Sequence, residues 1–147
     1  AEKVLNHELK TLKAVYKKPV MANVSGFSVG DYVAAVETLN TDDGIGWFEI
    51  NISCPNVHGG GLAFGTSAEN AAAVTKAVRA VTDKPIIIKL SPNVTDITEI
   101  AKACEAAGAD GAPERGAKER IHGLSDALAV GCCGVDDGLT VFGTDVL

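Results

Sequence analysis

Apolar and polar positions along this chain switch repeatedly between two periods. Leu5, Leu9, Leu12 and Tyr16 recur at helical spacing and predict an amphipathic helix over 3–17, closed by Lys17-Lys18-Pro19. Val20 to Val24 is a short apolar run and reads as a strand. Ser28 is placed to cap a second helix, with Val29, Tyr32, Val33 and Val36 on one face. A turn over 41–46 leads into a second strand, 47–52. Thr66 with Glu69 has the spacing of a capping box, and Val74, Ala77, Val78 and Val81 supply the buried stripe of a third helix. Asp83-Lys84-Pro85 ends that helix. Ile86 to Leu90 is a β-branched run of the kind found in strands covered on both faces. Asp96 and Glu99 form another capping pair ahead of Ile97, Ile100, Ala101 and Cys104, and Gly108 is the expected residue just past that helix. Ala109-Asp110-Gly111 opens a further strand.

Repeated strand–helix units predict a parallel sheet with right-handed crossovers. No G-x-G-x-x-G follows the first strand, which weakens a dinucleotide-binding open sheet and favours a (β/α)8 barrel. A whole barrel takes about 250 residues, so the 147 residues here predict a partial one of three to four βα units. The first residues, Ala1-Glu2-Lys3, carry no Met, and an upstream segment is expected. Over 112–147 the βα period stops at Pro113-Glu114-Arg115-Gly116. A short helix through Ile121, Leu124 and Leu128 and a short strand over Leu139–Phe142 are the only elements expected there.

Composition narrows the function. A net charge of −6 and a pI near 5.0 argue against nucleic acid and anionic membrane as partners. No apolar run approaches the roughly 20 residues of a membrane span. No basic segment precedes an apolar one as a secretion signal would. The four cysteines make no spaced framework, which fits reduced thiols in a cytoplasmic protein.

The chemistry gathers where strands end, the side on which α/β barrels keep their active sites. Asn51-Ile52-Ser53-Cys54-Pro55-Asn56 closes the second strand, and Pro55 turns the chain out of the sheet. From its setting Cys54 is open to four roles: nucleophile, proton-transfer base, metal ligand or core thiol. Cys54 and His58 alone make a weak metal pair. Cys104, on the apolar stripe of its helix, reads as a core thiol. Asn23, at the end of the first strand, offers both a donor and an acceptor, and taken alone it fits turn chemistry before Gly26 equally well. Lys89 interrupts an apolar run, where a charge costs several kcal/mol unless it meets a partner, so an anionic ligand is expected beside it; the alternative is an end-of-strand lysine that snorkels to water. Gly59-Gly60-Gly61 follows the second strand as a candidate closing loop.

Four stretches carry a resemblance: Ala22-Asn23-Val24-Ser25-Gly26; Glu49-Ile50-Asn51-Ile52-Ser53-Cys54-Pro55-Asn56-Val57; Gly60-Gly61-Leu62-Ala63-Phe64-Gly65-Thr66; and Ile88-Lys89-Leu90-Ser91-Pro92-Asn93-Val94-Thr95-Asp96. Over 1–111 the chain resembles dihydroorotate dehydrogenases, and among them the class 1B, NAD-linked bacterial type. Cys54 stands where the membrane-linked class has Ser, and Asn56 where the dihydropyrimidine dehydrogenase domain has His. The resemblance implies an FMN-dependent TIM barrel that oxidises dihydroorotate to orotate in pyrimidine biosynthesis. It implies Cys54 as the base that removes the C5 proton, while hydride passes from C6 to the flavin. It further implies that Asn51 contacts flavin and substrate, Asn56 the substrate, Asn23 the isoalloxazine ring, and Lys89 the edge that gains charge on reduction. The intact enzyme would be a homodimer joined to a second subunit carrying FAD and a 2Fe–2S cluster.

Residues 112–147 do not continue the resemblance. The chain is therefore expected to be an internal piece, with 1–111 a partial barrel and 112–147 a divergent tail of the kind a shifted reading frame leaves. Two alternatives stand beside the dehydrogenase: a truncated fragment without chemistry of its own, and a related pyrimidine-reducing flavoenzyme. Barrels hold flavin phosphate at their last strands, so the isolated chain is not expected to bind FMN tightly.

Overall fold

The computed structural model describes residues 1–53, 64–111, 128–132 and 139–142, the last two segments through their backbone. A π-helical turn, Val4–Glu8, runs directly into α1, Leu9–Val15. Three strand–helix units follow: β1 (Val20–Val24) with α2 (Val29–Asn40), β2 (Ile45–Asn51) with α3 (Ala68–Arg79), and β3 (Ile86–Lys89) with α4 (Ile97–Ala106).

Successive units lie side by side. β1 pairs with β2 and β2 with β3, all parallel, and Gly111 begins to pair with Ile87 on the far side of β3. Over residues 20–111 each new strand thus adds to the same edge. That one-way succession is how a barrel is laid down, whereas an open doubly wound sheet reverses direction at its switch point. The fold is a partial α/β barrel, as the βα period predicts.

The tail differs from its expectation. Leu128 starts a strand, β4 (Leu128–Cys132), and does not end a helix; residues 121–127 lie outside the described segments. β4 pairs in parallel with the free side of β1, and β5 (Leu139–Phe142) folds back antiparallel on β4. The short strand at Leu139–Phe142 is as expected. The sheet order is β3-β2-β1-β4-β5, so one edge that a bare half barrel would leave open is covered.

The two sheet faces carry different residues. Val20, Ala22, Val24, Phe48, Ile50, Ile52, Ile86, Ile88 and Leu90 pack with Tyr32, Val36, Leu39, Ala71, Val74, Val78, Ile100 and Cys104 from the helices in one buried cluster. The alternate residues Met21, Asn23, Trp47, Glu49, Asn51, Ile87 and Lys89 lie outside it and share the other face, which is the interior side of a barrel.

Local chemistry sets the ends of the helices. Ser28 caps α2 with a complete capping box: its hydroxyl accepts from the Asp31 amide, and the Asp31 carboxylate accepts from the Ser28 amide. Asp96 caps α4 as expected. The cap of α3 is Ser67 and not Thr66, because Thr66 is taken into the 3-10 turn Phe64–Thr66. Gly108, just past α4, has φ +105°, a conformation that glycine adopts without steric cost.

Candidate active site

Strand register brings the predicted residues together on the interior face. Asn23 lies one residue from the end of β1; Asn51 and Lys89 are the last residues of β2 and β3. Asn23 is the register partner of Glu49, and Asn51 of Lys89. Neighbouring strands sit about 4.8 Å apart, so the four residues form two adjacent cross-strand pairs at the C-terminal ends.

The hydrogen bonds within this group are specific. Asn23 Nδ2 donates to Glu49 Oε1. Asn51 Oδ1 accepts from the Ser53 backbone N–H at 3.2 Å and from the Ser53 hydroxyl at 2.8 Å. Asn23 and Asn51 are each only 8 % exposed, while Glu49 and Lys89 are half-buried. Lys89 has no acidic partner among the described residues. The expectation that it awaits an anion therefore stands as a proposal on an ammonium that no described carboxylate satisfies.

Packing behind the sheet holds the end of β2. The Tyr32 hydroxyl, from α2, donates to the Asn51 backbone carbonyl at 3.0 Å. The Tyr32 ring meets Phe64 edge-on, with centroids 5.7 Å apart and planes at 88°. Gly65 then passes so close to β2 that a Cβ there would lie 2.5 Å from the Ile52 carbonyl oxygen.

Cys54, Asn56 and Gly59–Gly61 lie outside the described residues. Cys104 is a buried free thiol, as its helical stripe implies. Burial pushes that thiol up, against an opposing hydrogen bond with Thr75, so it is a poor nucleophile. No group of three metal-ligating side chains occurs among the described residues, and no helix among them is long and apolar enough to cross a membrane. Glu49 was missed in the sequence. It looks like any polar residue alternating along a strand, and only register places it beside Asn23.

Comparison with known proteins gives one family. Residues 1–113 match the family model described as dihydroorotate dehydrogenase. A catalytic subunit of dihydroorotate dehydrogenase B (NAD(+)) from Bacillus cytotoxicus is 52 % identical over 110 residues, 75 % of this chain and 35 % of the relative. Its counterpart from Bacillus mycoides is 51 % identical over 110 residues, again 75 % and 35 %. Dihydroorotate dehydrogenase A (fumarate) from Lacticaseibacillus paracasei is 51 % identical over 109 residues, 74 % of this chain and 38 % of the relative. The chain thus spans little more than a third of the length of the curated relatives it matches.

Proposed function

Because this chain belongs to the dihydroorotate dehydrogenase family, we propose that residues 1–111 supply one wall of an FMN and dihydroorotate site, and that the reaction served is oxidation of (S)-dihydroorotate to orotate. The observation that carries this is the pairing of two buried carboxamides with an ammonium that no described carboxylate pairs, at three successive strand ends.

That donor set suits a flavin. Asn23 and Asn51 offer neutral hydrogen-bonding groups to a heterocycle edge, and Lys89 offers positive charge where an anionic ring develops. FMN, when bound, accepts the hydride from C6 of the substrate. Cys54 removes the proton from C5, and a closed, dry site would make its thiolate accessible near neutral pH. Asn51 and Asn56 orient the substrate, and the loop Gly59–Gly61 closes over it to exclude water. The naming of the similar NAD(+)-linked relatives as catalytic subunits supports a second subunit; that this subunit carries FAD and a 2Fe–2S cluster, that the core is a homodimer and that the setting is cytoplasmic belong to the same proposal. By itself the 147-residue chain should not keep FMN through purification, and its flavin absorbance reads this directly.

A chimaera tests the reading. Residues 1–111 replace the matching segment of the Bacillus cytotoxicus relative, and orotate formation is followed by absorbance. An active yellow enzyme is expected, and Cys54→Ser in it should lose most of its rate at neutral pH. A chimaera that holds flavin yet makes no orotate sinks the reading. Undiminished oxidation in the Cys54→Ser form removes Cys54 from the role of base.

A further inference from the structure

Glu49 and Ser53 have no part in the chemistry above, yet each holds one of its two carboxamides. Asn23 and Glu49 face one another across β1 and β2, with Asn23 Nδ2 donating to Glu49 Oε1. A carboxylate only accepts hydrogen bonds, so Asn23 has to turn its amino group towards Glu49. Its Oδ1 is then the outward end, with no donor among the described residues. Asn51 is held in the opposite sense. A backbone N–H only donates, so the end of Asn51 that faces the Ser53 amide has to be Oδ1, where the Ser53 hydroxyl also donates. The Nδ2 of Asn51 is left outward. Lys89, its register partner, adds an ammonium that only donates.

We infer that Glu49 and Ser53 are positioning residues that lock the two carboxamides in opposite senses, so that the site presents an acceptor at Asn23 and donors at Asn51 and Lys89. The fitting ligand has a planar ring edge on which an N–H lies beside a carbonyl or anionic oxygen, as in a cyclic imide. The pyrimidine edge of an isoalloxazine has this pattern, and for the choice of that ring the inference rests on the flavin reading. Without the lock, an amide can rotate to offer either end, and discrimination between ring edges falls. Two charges of opposite sign share the face, and among the described residues Glu49 alone of the two is engaged within it. Its carboxylate is thus spent on orientation and does not pair with Lys89.

The locks are read first in the full 147-residue chain without ligand, by 15N-edited NMR of the side-chain amides. One Asn23 Nδ2 proton should resonate downfield of ordinary carboxamides and exchange slowly. Glu49→Gln, which keeps shape, should move it upfield and leave the Asn51 pair in place; Glu49→Asp should restore it in part. Ser53→Ala should disturb Asn51 and spare Asn23. An ordinary, fast-exchanging Asn23 amide in the unaltered chain overturns the inference, as does an equal effect of both variants on both amides. Fluorescence titration of the flavin-stripped chimaera with FMN and with 3-methyl-FMN, whose N3–H is blocked, then reads the ligand side. The unaltered chimaera should favour FMN by about tenfold, and Glu49→Gln in it by no more than about threefold. Equal affinity of the unaltered chimaera for the two flavins overturns the acceptor assigned to Asn23. Binding of neither flavin by the chimaera, with both locks intact by NMR, overturns the flavin reading and leaves the positioning roles standing.

Discussion

Two polar residues behind and below the sheet show how single side chains hold the site and the fold. Tyr32 reaches from α2 to the last carbonyl of β2, where Asn51 begins the functional segment. Tyr32→Phe preserves the ring pair with Phe64 and deprives the buried Asn51 carbonyl of that donor. The expected cost is about 1–2 kcal/mol, seen as a lower urea midpoint at unchanged slope. Asp42 works at the opposite, N-terminal ends of the strands. Burial pushes its carboxyl up, but hydrogen bonds from Lys13 Nζ and the Gly44 amide, both 2.7 Å, with the charges of Lys13 and Lys84, hold it below its ordinary value of 3.8. A depressed carboxylate stabilises the fold above the unfolded pKa and ceases to do so as pH falls through the folded one. Stability attributable to Asp42 should therefore be intact near neutrality and decline below about pH 4. Denaturation midpoints for the unaltered chain and Asp42→Asn, compared across that range, should converge as pH falls.

At the level of elements, the periodic parts of the chain were legible and the irregular ones were not. The strands β2 and β3 announce themselves because the residues facing the helices are all apolar and buried: Phe48, Ile50 and, just past the strand end, Ile52 along one, Ile86, Ile88 and, just past the strand end, Leu90 along the other. The stripes of α2, α3 and α4 follow from their spacing. Thr66 and Ser67 are equivalent as cap candidates in sequence, and the tight turn at Phe64–Thr66 decides for Ser67. That turn exists because the chain must return against the end of β2, a contact far apart in sequence that no local pattern encodes. Gly65 is its most demanding position. In Gly65→Ala the new methyl carbon would fall 2.5 Å from the Ile52 carbonyl oxygen, so either the turn or the strand end has to move. The expected loss is about 1–3 kcal/mol, and calorimetry should show a lower melting temperature. The Asn23–Glu49 pair escaped the sequence for a similar reason. Each residue is unremarkable in its own strand, and their meaning appears only when β1 and β2 are placed in register.

For the molecule as a whole, the decisive feature is where the sheet stops. β1, β2, β3 and Gly111 grow in one direction, all parallel, as a barrel does. On the other side β4 extends the parallel order, and then β5 reverses it. A closed barrel of this class is parallel throughout, so the antiparallel hairpin ends the succession and does not continue it. Its physical effect is to occupy the backbone donors and acceptors of Val20–Val24 that would otherwise face outward beside β1. An uncovered edge of that kind, on an apolar strand carrying no charge, is a template for pairing with another chain. A shortened chain comprising 1–113, the part matching the family, loses β4 and β5 and uncovers β1. It should self-associate at micromolar concentration where the 147-residue chain does not, as size-exclusion chromatography and sedimentation velocity would show. Lysine at Ala22, placed on the helix-side core, would simply unfold the shortened chain, whereas lysine at Met21, on the other face, leaves that core intact. Met21→Lys should therefore suppress the association by putting a charge on the exposed strand. A shortened chain that stays monomeric without that charge would mean that the β1 edge needs no cover, and that the hairpin lies on it without protecting it.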